Sequence, residues 1–329
     1  MTRAFETMTV GVVGAGGIAH PHLAAWQHLG VPAVVFSVDD AAPLAAQFGA
    51  RTVSSLAELL ERCDVVDVCT PTYAHRDVVL AAAAAGRHVI CEKPLSHKRS
   101  EASEMIEACT AAGVQLHPGQ VVRFFPEYAA AKAAVDAGQI GSPAVLRFSR
   151  RGARPLRAWF ADPRRSGGLI VDQMIHDIDF ARWVAGDVER VHARIVGDEP
   201  GPTIGLVVMT HTNGVLSHLN GGWGLPDEVF RTSFSLAGSS GLLRHTSDAT
   251  SGLTWSVPTA GLVGGELVPA GPAGASPFVT ELGEFLASCA GGSAPRVSAL
   301  DSLAALDVAL AATLSASAGQ SVAVKEVVP

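Results

Sequence analysis

At 329 residues the chain is long for a single hydrophobic core and fits two domains of roughly 150 residues each. A composition that is 48% hydrophobic and 17% charged, against about 25% charged in an average soluble domain, argues against extensive disorder. The formal net charge of -7 disfavours nucleic acid and anionic membranes as partners and leaves small molecules.

The first third alternates short β-branched runs with helical patterns, which predicts a doubly wound α/β sheet. Thr9 to Val13 reads as the first strand, and Gly14-Ala15-Gly16-Gly17-Ile18-Ala19 follows it as GxGxxG with alanine in the last place. Gly14 permits the tight turn, Gly16 lets backbone approach a pyrophosphate, and Ala19 allows close helix packing. A helix opening near Ile18 offers free N–H groups, so Gly14, Gly16, Gly17 and Ile18 are expected to bind a dinucleotide. The alternative is an ordinary strand-to-helix turn. The second strand, 33–36, ends at Ser37, where an acid would hold the ribose 2′-hydroxyl. Serine removes repulsion against a 2′-phosphate, Val38 is not the arginine that would bind one, and Asp39 and Asp40 follow. NAD and NADP both stay open, with the acids leaning toward NAD; a solvated turn is the other reading of the two aspartates.

A helix is expected near 43–48, and Ser55-Leu56-Ala57-Glu58 is a capping box that opens a short one. After the strand 65–69 come Thr70, Pro71, Thr72 and His75, read either as cofactor contacts or as a helix cap and its first turn. The strand 88–91 runs into Glu92-Lys93-Pro94, and a charge leaving the carboxyl end of a parallel strand faces the ligand crevice. The texture changes after Gly119, which divides the chain into a dinucleotide-binding domain, 1–119, and a second domain, 120–329.

The second domain opens with a helix over 127–137 and a strand over 144–148. Strands 203–210 and 215–220 flank Asn213-Gly214, a hairpin signal, and 230–236 alternates apolar with polar residues. An α+β domain with an open antiparallel sheet is predicted. The stretch 246–276, rich in Gly, Pro, Ser and Thr, reads as loops and short strands, followed by helices 278–289 and 299–318 and a strand 321–327. No apolar stretch is expected to reach the roughly 18 residues that span a bilayer, and no signal peptide is expected. Cys63, Cys69, Cys91, Cys109 and Cys289 show no paired spacing, which predicts a reduced, cytoplasmic protein. His20, His22 and His28 lack a carboxylate ligand set, so no metal site is expected and these read as packed or solvated.

Gly167-Gly168 leads to Asp172, His176 and Asp179, and on a helix Asp172 and His176 share a face. With Lys93 they are enough to move a proton. His176 is the expected base, since imidazole titrates near pH 6.5, and Lys93 the donor to a reacting oxygen. Asp172 binds a substrate hydroxyl or keeps the lysine charged. Each has a plainer reading alone: Lys93 paired with Glu92, Asp172 as a cap, His176 as a core histidine. Their joint occurrence with a nucleotide fold favours chemistry. Asp179 orients the imidazole or braces the helix, and Asp177 faces elsewhere. Arg147, Arg150, Arg151, Arg154, Arg157, Arg164 and Arg165 crowd one segment, as an anion site on the substrate or as a solvated loop or subunit contact. Trp159 and Arg123 are expected in the substrate pocket, with an interdomain brace as the other role for Arg123.

These motifs together resemble the glucose-fructose oxidoreductase, inositol dehydrogenase and MocA group of nucleotide-dependent oxidoreductases, with Ser37 and Ala19 as departures. The resemblance implies a Rossmann domain followed by a domain whose open sheet carries much of a homo-oligomer (dimer or tetramer) interface. It implies hydride transfer between nicotinamide and a secondary alcohol of a sugar, cyclitol or related polyol, with Glu92 at the cofactor ribose. A non-catalytic nucleotide- or sugar-binding regulator and an NAD-assisted glycoside-cleaving enzyme are the alternatives.

Overall fold

The computed structural model describes residues 8–153, 157–197, 202–224, 230–247 and 276–327, with the backbone alone of 253–256 and 266–268. Its β1 (Val10–Val13) is buried along its whole length, as a strand covered on both faces must be. The next strands are β2 (Ala33–Phe36), β3 (Arg51–Thr52), β4 (Val65–Val68), β5 (His88–Glu92) and β6 (Leu116–Gly119). They form a parallel sheet in the order β3-β2-β1-β4-β5-β6, the dinucleotide-binding arrangement. The crossovers are α1 (Ala19–His28), α2 (Ala42–Gln47), α3 (Leu56–Arg62), α4 (His75–Ala84) and α5 (Arg99–Ala111). Ser55 Oγ accepts from Glu58 N at 3.1 Å, half of the expected capping box, while the Glu58 carboxylate turns to Ser54 N and Oγ instead.

The rest of the chain supplies α6 (Pro126–Asp136), β7 (Pro143–Gly152), α7 (Ala158–Ala161), α8 (Pro163–Ser166), α9 (Ile175–Ala185), β8 (Val188–Val196), β9 (Thr203–His211), β10 (Leu216–Trp223), β11 (Arg231–Gly238), β12 (Leu242–Thr246), β13 (Leu253–Ser256), β14 (Glu266–Val268), α10 (Pro277–Cys289), α11 (Ala299–Ala318) and β15 (Val322–Ala323). The nine-stranded sheet runs β14-β13-β12-β11-β7-β10-β9-β8-β15. Every neighbouring pair is antiparallel except β7 with β10, so the expected antiparallel sheet is mixed at one place. The last strand is shorter than expected, because Glu326 reaches back to Ala323 N at 3.0 Å and winds 324–326 into a 3-10 turn.

The chain divides into two units: the described residues up to Phe124 with those of Gly274–Leu303, and those of Phe125–Ala273 with Ala304–Pro329. The segment around α10, expected with the second domain, thus groups with the first. Its Leu282, Phe285 and Leu286 are buried in one core with Leu23 and Trp26 of α1 and with Val10, Val35 and Ile90 of the sheet. Among the described residues, α11 is long and apolar enough to cross a membrane by length and composition, contrary to expectation. Its Ala305, Leu306, Ala309 and Ala312 are buried, the pattern of a core helix.

Candidate active site

The turn between β1 and α1 is shaped for close approach. Gly14 has φ +108°, and a β-carbon there would stand 2.6 Å from the Cys69 carbonyl oxygen, so only glycine fits. Above Gly16 and Gly17 an added β-carbon would meet nothing within 4 Å. At Ile18 the helix starts without a side-chain cap, leaving its amides and positive dipole end for an anion. Thr70 Oγ1, just past β4, is buried with no hydrogen-bond partner among the described residues. Open space, uncapped amides and an unmatched hydroxyl fit a dinucleotide.

Other expected cofactor residues have partners of their own. Ser37 Oγ accepts from Asp39 N at 3.2 Å, closing a small turn, and Asp39 is exposed. Pro71 precedes a 3-10 turn over Thr72–Ala74 in which Thr72 is buried. His75 is buried, with Nδ1 2.9 Å from Pro94 O and Nε2 2.9 Å from Thr70 O. Burial holds its pKa below the ordinary imidazole value against those carbonyls. The ring therefore joins the loops after β4 and β5, and its nitrogens are committed to backbone.

Behind Lys93 lies a charged network that inspection of the sequence missed. Fully buried His22 places Nδ1 2.9 Å from Asp67 Oδ2 and Nε2 3.0 Å from Glu92 Oε1. Trp26 Nε1 donates to Asp67 Oδ2 at 2.7 Å, and Glu92 Oε2 accepts from Lys93 N at 3.0 Å. The expectation that this histidine lacks carboxylate partners is overturned: they come from strands 45 and 70 residues away. Ligand atoms of His22, Asp67 and Cys69 lie within 4.8 Å of one another, close enough for a metal ion, but they already hydrogen-bond each other. Lys93 itself is half-buried at the carboxyl end of β5. Arg123, expected in the pocket, is 2% exposed and donates to Arg296 O at 2.8 Å, with Asp301 Oδ2 3.7 Å away. That makes it a brace inside the first unit.

In the second unit, residues Ile170–Met174 form a π-helical turn that runs into α9. Asp172 sits in the π turn and His176 in the α-helix, so the expected uniform α register across the pair does not hold. Such turns recur at functional sites. Asp172 is buried and His176 half-buried, while the neighbouring Gln173 has a buried Oε1 without a hydrogen-bond partner among the described residues. Asp179 is buried as well, and Asp177 faces away into a buried pair with Arg150 at 2.8 Å. Trp159 stacks on Phe160 with ring centroids 3.8 Å apart.

The arginines do not converge. Arg150 points into the core, Arg164 pairs with Asp162 at 3.0 Å, and Arg154 lies outside the described residues. Arg147 and Arg151 lie instead on the open face of the large sheet, in a cavity of about 640 Å³ shared with His218, Ser233, Ser235 and Arg244.

A family model described as an oxidoreductase family with an NAD-binding Rossmann fold (GFO/IDH/MocA) matches residues 8–120, and a GFO/IDH/MocA C-terminal domain matches 128–244. D-apiose dehydrogenase of Paraburkholderia graminis is 31% identical over 95% of this chain and 89% of its own length. Myo-inositol 2-dehydrogenase of Thermotoga maritima is 35% identical over 56% of this chain, a match that spans only 58% of that enzyme. A solved levoglucosan dehydrogenase, in complex with NADH and L-sorbose, shares the fold at a TM-score of 0.87, with 22% identity over 96% of this chain and 98% of its own. The sheet order, the glycine turn and these matches together show that the chain belongs to the GFO/IDH/MocA family of oxidoreductases.

Proposed function

We infer that the protein is an NAD-dependent dehydrogenase or reductase acting on a secondary alcohol of a sugar, cyclitol or related polyol. The observation that carries this reading is the uncapped glycine turn with open space above Gly16 and Gly17, in a chain related over 95% of its length to a sugar dehydrogenase. When bound, the nicotinamide supplies the hydride acceptor or donor. The protein must hold the carbinol and manage its proton.

Lys93 is assigned to stabilise negative charge developing on the substrate oxygen, His176 to take the hydroxyl proton, and Asp172 to bind a neighbouring hydroxyl. Gly14, Gly16, Gly17 and Ile18 hold the pyrophosphate, with Thr70 and Asp39 as further cofactor contacts. NAD is preferred over NADP because Ser37-Val38-Asp39-Asp40 offers two acids and no guanidinium. Five free cysteines, four of them buried, support a reducing, cytoplasmic location.

A homo-oligomer formed through the large sheet belongs to the same reading. Val196, Ile204, Leu206, Val208 and Leu216 are exposed on one face of β8, β9 and β10, with Leu206 at 53% and Val196 at 70%. An apolar stripe of that kind favours burial against a partner. Light scattering on Leu206→Glu is expected to give a smaller species than the parent.

The deciding experiment incubates a panel of sugars, cyclitols and uronates with NAD and with NADP and follows absorbance of the reduced cofactor. Release of NADH with at least one neutral polyol is expected. Bound nucleotide with no turnover on any of them would favour a regulator.

A further inference from the structure

The roles above leave the His22 network unused. Both ring nitrogens of His22 face carboxylate oxygens, at 2.9 Å and 3.0 Å, whereas a neutral imidazole carries one N–H. Either the ring is charged or a carboxyl is protonated. Asp67 also accepts from Trp26, and Glu92 also accepts from the Lys93 amide, so each carboxyl already takes a hydrogen bond from a second donor.

Two other titratable groups among the described residues face the ring: Cys69, just past β4, and Glu281 from α10. Glu281 is fully buried, neither oxygen has a hydrogen-bond partner among the described residues, and burial followed by the charge of Glu92 holds its carboxyl well above the usual range. It enters the network as a neutral acid and supplies no counter-charge. The ring of Phe278, 5.5 Å from the imidazole between centroids, supplies none either.

We propose that His22 is a positioning residue, a buried imidazolium that fixes the Glu92 carboxylate and through it the backbone of Lys93. The hydrogen bonds run from Trp26 to Asp67, from His22 to both carboxylates, and from the Lys93 amide to Glu92. They cross α1, β4 and β5. Since α1 begins at the glycine turn and β5 runs directly into Lys93, one side chain sets the register of the cofactor turn against the lysine. Burial is the largest influence and opposes the charged ring, but Asp67 and Cys69 together leave the His22 pKa well above the ordinary imidazole value. Without His22, two buried carboxylates are left with no cation between them, and Glu92 has reason to turn.

The rate arm of the test rests on the role assigned to Lys93; the other arms do not. Nitrogen-15 spectra of the intact protein, with His22 assigned through its backbone, are expected to show both ring nitrogens protonated and no titration from about pH 6 to 8. A single-N–H tautomer at neutral pH overturns the proposal. In His22→Gln, hydrogen exchange at the Lys93 amide is expected to accelerate, and kcat to fall roughly 100-fold while the KM for polyol stays within about 3-fold. The double variant His22→Gln/Asp67→Asn pairs two amides and restores the net charge of the cluster and its packing but gives Glu92 no cation. It is expected to recover thermal stability with kcat still low. Recovery of kcat together with stability makes His22 merely structural and sinks the idea. If the parent protein turns over no polyol, the dehydrogenase reading fails alone, and the imidazole spectra and Lys93 exchange still decide the role of His22.

Discussion

Gly221 lies directly beneath Met174: a β-carbon added to it would stand 2.5 Å from Met174 Cγ. Gly205, its partner across β9 and β10, would place a β-carbon 2.8 Å from Met174 Sδ. Two glycines in mid-strand weaken a sheet, and their use here is the hollow that seats the last residue of the π turn. That seat fixes how the segment bearing Asp172 lies on the sheet. Gly221→Ala is therefore expected to cost about 1–3 kcal/mol by urea denaturation and to lower kcat. Met174→Ala in the same background should return the stability, because it removes the atoms that clash. Equal stability and kcat in Gly221→Ala and the parent would show that the hollow does not set the turn.

The glycine turn separates folding from binding at neighbouring positions. Gly14→Ala forces a side chain onto positive φ and against the Cys69 carbonyl, so it is expected to destabilise the first unit and lose NAD together. Gly16→Val projects into open space instead. It should leave the melting temperature within a few degrees of the parent while weakening NAD binding about tenfold or more, a loss of roughly 1.4 kcal/mol. Calorimetry of both variants checks this; unchanged NAD affinity in Gly16→Val would remove the pyrophosphate from that turn.

How much of this was legible in the sequence depended on the range of the interaction. Where a signal is local, reading and structure agree: the first strand and its glycine turn, the Ser55 cap, and Asn213-Gly214, whose Asn213 Oδ1 accepts from Val215 N at 3.2 Å. The π turn was invisible because residues 169–175 are apolar nearly all round and give no period to distinguish its wider coil from an α-helix. His22 was invisible for another reason. Its partners lie on two different strands, and no local pattern announces a bond closed by the fold. The same holds for Arg123, whose partner carbonyl is 173 residues away.

Stability toward acid is expected to depend on His117. Burial, followed by the charge of His88, pushes its pKa down to about 4, and its Nε2 lies 2.7 Å from Gln115 Oε1. The unfolded chain then binds a proton below about pH 6.5 that the folded chain refuses until about pH 4, so this contribution is full above that window and is lost as pH falls through it. The loss amounts to about 3 kcal/mol at most. His75, His88 and His211 are depressed in the same direction, so the test is a difference. Denaturation of His117→Gln and the parent between about pH 4 and 7 should show a shallower acid slope in the variant. Parallel curves would refute it.

The Arg150–Asp177 pair, at 2.8 Å and buried on both sides, offers a contrast with surface pairs such as Arg164–Asp162. Arg150→Met leaves Asp177 uncompensated in the core and is expected to cost about 3–5 kcal/mol. Arg150→Met/Asp177→Leu should recover most of that, since both charges are gone. A double variant no more stable than the single would mean that packing around Tyr128, which Arg150 also contacts at 3.4 Å, dominates.

The roles given to Lys93 and His176 differ in their pH signatures. If His176 takes the hydroxyl proton, polyol oxidation in the parent rises with pH as the imidazole loses its proton, and His176→Asn loses most where the parent is fastest, at alkaline pH. A loss of about 10²–10⁴-fold in kcat is the expected range for a general base. Lys93→Met removes a positive charge rather than a proton acceptor, so it should depress kcat at every pH in the range, with NAD affinity within a few-fold of the parent. Steady-state profiles of the two variants against pH, with NAD binding measured separately, distinguish them. A flat parent profile, or an unchanged shape in His176→Asn, would transfer the base to another group, and full activity in Lys93→Met would remove the lysine from the chemistry.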